Sequence, residues 1–132
     1  MRVVILGCGR LGACLARMLV AEGHQVTVID RDSSSFIRLG ADFGGDTVVG
    51  LGIDEDVLRE AGIEEADAFI AVTSWDNTNV MAVQVAKEIF RVPRTICRVY
   101  DPEREEIYRA LGLETFCPTL WGAGCVQKLL AG

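Results

Sequence analysis

Apolar residues fall along this chain in two alternating rhythms. Unbroken runs such as Val3-Val4-Ile5-Leu6, Val26-Thr27-Val28-Ile29 and Ala68-Phe69-Ile70-Ala71-Val72 read as strands covered on both faces, the pattern of a parallel sheet. Between them, apolar residues recur every three or four positions, as at Leu11, Leu15, Met18 and Leu19, and read as amphipathic helices. The pattern predicts strands over 2–6, 25–29, 46–50, 67–72, 95–99 and 115–117, and helices over 10–22, 33–39, 54–61, 76–90, 103–111 and 119–131. Gly23, Gly40, Gly62 and Gly112 each follow a helical stretch, where a left-handed cap favours glycine. Asp32, Asp54, Asp101 and Thr119 stand near helix starts, where a side-chain oxygen caps free amides, and Pro102 suits a first helical turn.

The first strand, its helix and the second strand frame the candidate chemistry. Gly7-Cys8-Gly9-Arg10-Leu11-Gly12 joins the first strand to its helix, and the second strand ends in Asp30. Strand, glycine loop, helix, strand, acid is the order of a dinucleotide-binding unit. Gly7 makes the turn, Gly9 lets phosphate approach the backbone, and Gly12 lets the helix pack close to the strand. Asp30 is placed to accept hydrogen bonds from ribose hydroxyls. It would repel a 2′-phosphate, so NAD or adenosine nucleotides are favoured over NADP. The whole alternation predicts an α/β, Rossmann-like doubly wound parallel sheet of six strands in the order 3-2-1-4-5-6. In such a sheet the ligand lies at the carboxyl ends of the strands, here the loops 7–12, 30–32, 50–53, 73–76 and 98–102. Arg10 can reach a phosphate oxygen, of its own chain's ligand or a partner's, or stand in solvent; we favour the phosphate. Arg31 can stack on adenine or stay at the surface. Thr73 and Arg98 end up near the same crevice. Arg98, amid Ile96, Cys97 and Val99, needs a phosphate or carboxylate partner if its strand is buried.

Composition narrows the function. With 132 residues the chain is one domain's worth, and with 13 basic against 19 acidic residues its net charge is −6. That balance argues against binding nucleic acid or an anionic membrane, and no apolar run approaches the roughly 18 residues of a membrane span. The seven acids between Asp54 and Asp67 read as a solvated helix rather than a metal site. The cysteines, Cys8, Cys14, Cys97, Cys117 and Cys125, are odd in number and form no CxxC pair, so we read them as reduced thiols of a cytosolic protein. Cys8 lies where a helix N-terminus can acidify a thiol, though a small tolerated loop residue is the simpler reading. No catalytic constellation is evident. His24 falls at the wrong end of the sheet, Lys87 and Lys128 lie on helices, and neither Tyr100 nor Tyr108 has a lysine four residues on. We therefore predict no catalytic residue and no metal, and a sensing module rather than an enzyme. The alternatives are the cofactor half of an NAD-dependent oxidoreductase, or a dimerisation lobe with a vestigial site.

Together these features resemble the N-terminal lobe of the RCK/KTN family (the TrkA N-terminal domain), regulatory lobes of Trk/Ktr potassium uptake systems and RCK-gated potassium channels. The resemblance runs from Gly7–Gly12 with Arg10 and Val28-Ile29-Asp30, through Gly45-Asp46-Thr47 and Ala71-Val72-Thr73 with Asp76 and Asn79. It ends at Arg98-Val99, Asp101-Pro102 and Cys117-Pro118-Thr119. It implies that NAD, NADH, ADP or ATP binds in the cleft and controls a membrane potassium transporter or channel subunit. On this resemblance Gly7, Gly9 and Gly12 hold phosphate, Asp30 holds ribose, Asp46 lies near the adenine, Thr73 lines the cleft, Arg98 contacts phosphate, and Arg10 matches a loop arginine that in some members reaches phosphate across the dimer; Cys8, Leu11 and Arg31 complete the predicted cofactor-binding set. It further implies a nucleotide-binding domain over 1–118 and the start of a crossover and dimerisation helix over 119–132, with apolar Leu120, Trp121, Val126, Leu129 and Leu130. The C-terminal ligand-binding lobe of the family is absent from these residues. A homodimer or larger ring is expected, cytoplasmic and held at the inner face of the membrane only through its partner. Tyr100 stands where a smaller polar residue is expected.

Overall fold

Six parallel strands build one sheet in the computed structural model, which describes residues 1–132. They are β1 (Arg2–Leu6), β2 (Gln25–Asp30), β3 (Asp46–Val49), β4 (Ala68–Ala71), β5 (Arg94–Arg98) and β6 (Thr115–Phe116). Their order is β3-β2-β1-β4-β5-β6, so the sheet reverses direction of growth between β1 and β4. Register is parallel throughout: Val3 pairs with Val26 on one side and with Ala68 on the other. The connecting helices are α1 (Arg10–Ala21), α2 (Glu55–Glu60), α3 (Asp76–Gln84), α4 (Pro102–Ala110) and α5 (Pro118–Ala131).

Alternation along the strands feeds two apolar layers. Val4, Leu6, Phe69 and Ala71 point to one face, where Leu58 of α2 and Val80 and Val83 of α3 cover them. Val3, Ile5, Val26, Val28 and Ile70 point to the other, under Ala13 and Ala16 of α1 and Leu39. Small residues on α1 bring helix and strand together. An added Cβ at Gly12 would lie 1.9 Å from the Gly7 carbonyl oxygen, so only glycine lets this turn form.

Three segments differ from the sequence expectation. Ser33–Leu39 forms a 3-10 helix, not an α-helix. Asp32 accepts hydrogen bonds from both the amide and the hydroxyl of Ser34, and Gly40 (φ 88°) stops the segment after two turns. The helix expected over 76–90 is α-helical only to Gln84. Val85–Ile89 widens into a π-turn, and Arg91 follows at φ 57°. A short 3-10 turn, Ile63–Glu65, was not anticipated.

Helix α5 buries none of its residues. Trp121, Leu129 and Leu130 are exposed, and the Trp121 ring makes a tilted contact with Phe116, centroids 5.7 Å apart.

Candidate functional site

The strand order reverses between β1 and β4, and the cleft opens there, at the carboxyl ends of the strands. It is a hollow of about 600 Å³. Its floor is the turn after β1. The Gly7 amide donates to the Ile29 carbonyl at 2.8 Å, and Gly7 itself sits at φ 110°, where an added Cβ would press on the Thr73 amide at 2.9 Å. Gly9 is different: a Cβ there meets nothing within 4 Å, because the position faces the cleft. Gly9 also begins α1, which has no side-chain cap and no acidic residue in its first turn. The positive end of that helix is left for an anion.

Asp30 closes one wall. One carboxylate oxygen accepts from the Cys8 amide at 2.8 Å and the other from the Asp32 amide at 2.9 Å. Two loops therefore hold the carboxylate in one orientation, and each oxygen keeps a free lone pair.

Arginines dominate the charge. Arg10, Arg31, Arg38 and Arg98 line the cleft against the single acid Asp30. The ion pairs of the molecule engage Arg2, Arg59, Arg94 and Arg109, and none involves a cleft arginine. Arg98 is the most constrained. It donates through Nη1 to the Val72 carbonyl at 3.2 Å, and its guanidinium stacks 4.1 Å from the Tyr100 ring centroid. Its Nε is buried with no partner. Burial lowers its pKa from the ordinary arginine value, and Asp76 opposes that shift. No carboxylate forms an ion pair with it.

Behind Arg98, the fully buried Asn79 ties the ends of β4 and β5 together. Its amide nitrogen donates to the Thr73 and Arg98 carbonyls, each at 3.0 Å, and its oxygen accepts from the Thr73 amide at 2.9 Å. Asp76 accepts from the Tyr100 amide at 2.9 Å. These polar side chains fix the far wall.

The cleft thus brings together Gly7, Gly9, Arg10, Leu11, Asp30, Arg31, Thr73 and Arg98. Gly12 is buried just beneath, packed on Gly7. Two expected residues are placed differently. Asp46 is the first residue of β3 and pairs with Thr27, so it sits at the amino end of the sheet, about 13 Å of strand away from the cleft. It lines a separate hollow beside His24. Cys8 offers no free group. Its amide is used by Asp30, its thiol donates to the Ser35 carbonyl at 3.4 Å, and the side chain is buried in the α1 layer. Burial, and then the charge of Asp30, raise its pKa, which outweighs Arg38 and reverses the acidified thiol considered from sequence.

Sequence reasoning missed Arg38 as a cleft residue, and it placed Trp75 and Tyr100 in the cleft loops 73–76 and 98–102 without singling them out. Arg38 lies on the 3-10 segment and donates to the Cys8 carbonyl at 3.4 Å. Trp75 and Tyr100 lie in the loops that follow β4 and β5, at the carboxyl end of the sheet.

A doubly wound sheet with an uncapped helix and unpaired arginines at its switch point defines a Rossmann-type domain. Residues 3–117 match the family model described as the TrkA-N domain, and the chain belongs to that family. It is 54% identical over 130 residues to the Trk system potassium uptake protein TrkA of Streptomyces coelicolor, a match covering 98% of this chain and 58% of that protein. The chain thus spans a little over half the length of that relative. Two solved structures share the fold. The Kef CTD of Shewanella denitrificans in its AMP-bound form aligns with TM-score 0.85 at 22% identity, over 100% of this chain and 83% of the other. The GsuK channel bound to NAD aligns with TM-score 0.72 at 23% identity, over 86% of this chain and 21% of the channel chain.

Proposed function

We propose that this chain is a nucleotide-sensing regulatory lobe of a potassium transport system and performs no catalysis of its own. The observation that carries this reading is the cleft's electrostatics. Four arginines without carboxylate partners and an uncapped helix end converge on one hollow in a chain of net charge −6. Such a hollow suits a compact polyanion, and the pyrophosphate of ADP, ATP, NAD or NADH supplies one. In this reading the pyrophosphate lies over Gly9 and the start of α1, Asp30 takes the ribose hydroxyls, and Arg98 gains a partner for its buried Nε. Arg10, exposed on the first turn of α1, reaches phosphate from the rim. The similarity to a Trk potassium uptake protein supports a membrane potassium transporter or channel as the partner and the cytoplasm as the compartment.

Regulation in this reading is a shift in population. The bound nucleotide must favour one arrangement of an oligomer over another, by as much as its affinity differs between them. The test is calorimetric titration with ATP, ADP, NAD and NADH. One or more binds, and Asp30→Ala and Arg98→Met each weaken binding by at least about tenfold, the loss of one charge-assisted hydrogen bond. Absence of heat with all four, for a chain shown to be folded, overturns the reading.

A further inference from the structure

The carbonyl of Tyr100 is the unusual feature on the far wall of the cleft. It accepts hydrogen bonds from two side chains at the beginning of α5, the Thr119 hydroxyl at 3.0 Å and the Cys117 thiol at 3.4 Å. Few other contacts hold this helix. It has no buried residue and no side-chain cap of its own, and its first amide bond runs from Trp121 to the Cys117 carbonyl. The same Tyr100 stacks its ring on Arg98, whose Nε lacks a partner and whose guanidinium faces the cleft. The Tyr100 amide is held by Asp76. One residue thus touches the most ligand-ready arginine with its ring and the exposed apolar helix with its backbone.

We propose that Tyr100 is a positioning residue that couples occupancy of the cleft to the start of α5. This rests on the nucleotide reading above. A phosphate that engages Arg98 fixes the guanidinium, the guanidinium fixes the stacked ring, and the ring restrains the peptide whose carbonyl anchors Thr119 and Cys117. The first turn of α5 then opens less often. The helix carries the exposed Trp121, Leu129 and Leu130, so its order governs how those side chains are presented to another molecule.

The coupling has a readout separate from binding. Calorimetry with ADP and NADH measures affinity, and hydrogen–deuterium exchange of residues 117–131 measures opening of α5. In the unaltered chain, saturating ligand slows exchange in the first turn of α5 by about fivefold, the lower end of ordinary coupling between sites. Thr119→Val still binds ligand but loses most of that slowing, and Thr119→Ser, which keeps the hydroxyl, restores it. Tyr100→Leu, which removes the ring stacked on Arg98, abolishes the slowing even at saturating ligand. Ligand that binds the unaltered chain without slowing α5, or a Thr119→Val chain that responds fully, overturns the coupling and leaves the nucleotide reading standing. Failure of both ligands to bind the unaltered chain overturns the nucleotide reading and the coupling with it.

Discussion

Gly9 caps α1 and Gly12 lies three residues later in its first turn, yet a methyl group added to each meets opposite surroundings. At Gly12 it collides with the Gly7 carbonyl; at Gly9 it enters open space in the cleft. Gly12→Ala should cost about 1–3 kcal/mol of stability, the usual range for overpacking, as read by urea denaturation. Gly9→Ala should change stability by less than about 0.5 kcal/mol, while nucleotide affinity measured by calorimetry falls sharply. Cys97 provides a pH prediction. Burial, with Asp76 adding to it, pushes its thiol from 9.0 up to about 12. The folded state therefore keeps this proton after the unfolded chain has lost it. The stabilisation is complete below pH 9 and is lost as pH rises toward 12, with a slope approaching 1.4 kcal/mol per unit for one group. Cys97→Ala should flatten that decline in an alkaline denaturation series, and an unchanged slope would count against it. At this scale the sequence was informative about glycines, Asp30 and Arg98, because their chemistry is tied to a motif or to a buried strand. It was silent on Arg38, which sits in a polar 3-10 turn with no pattern to aim it.

Strands and helices were legible because the central strands β1 and β4 are apolar on both faces and a glycine follows α2 and α4. What escaped was the kind of turn within them. Nothing periodic separates a seven-residue 3-10 helix from two turns of α-helix, and the π-turn at Val85–Ile89 has no marker in its composition. Asp46 was placed near the adenine by the family resemblance, although the predicted strand over 46–50 already put it at the amino end of the sheet, where β3 begins. Between elements, one buried carboxylate matters most. Glu105 on α4 is 4% exposed and accepts from Arg109 and from the hydroxyl of Thr115 on β6. Glu105→Ala should loosen α4 from the sheet edge and cost about 2 kcal/mol in urea denaturation, the scale of hydrogen bonds to a charged acceptor.

For the whole molecule, the apolar residues of α5 are the feature that the isolated fold leaves unexplained. Leu129 and Leu130 are among its most exposed large side chains, at 76% and 85%. Exposed apolar surface of this kind marks an interaction site, and association of two chains through α5 is the arrangement expected from the family resemblance. Light scattering coupled to size exclusion should find a dimer, and Leu129→Glu should shift it toward monomer; a monomer at high concentration would rule this arrangement out. The fold could be anticipated as a whole because its rules are local: strand, turn, helix, repeated six times. The cleft could be anticipated only in part, since half of its walls come from residues brought together by strand order rather than by sequence. The open space over Gly9 has a consequence for descent. If nucleotide binds as proposed, scaffold and recognition are separable at that position, so a single codon change at Gly9 removes the ligand while leaving the fold intact. Domains of this build that no longer read any metabolite should therefore persist in genomes as assembly modules, and the residue at the position of Gly9 should tell the two kinds apart.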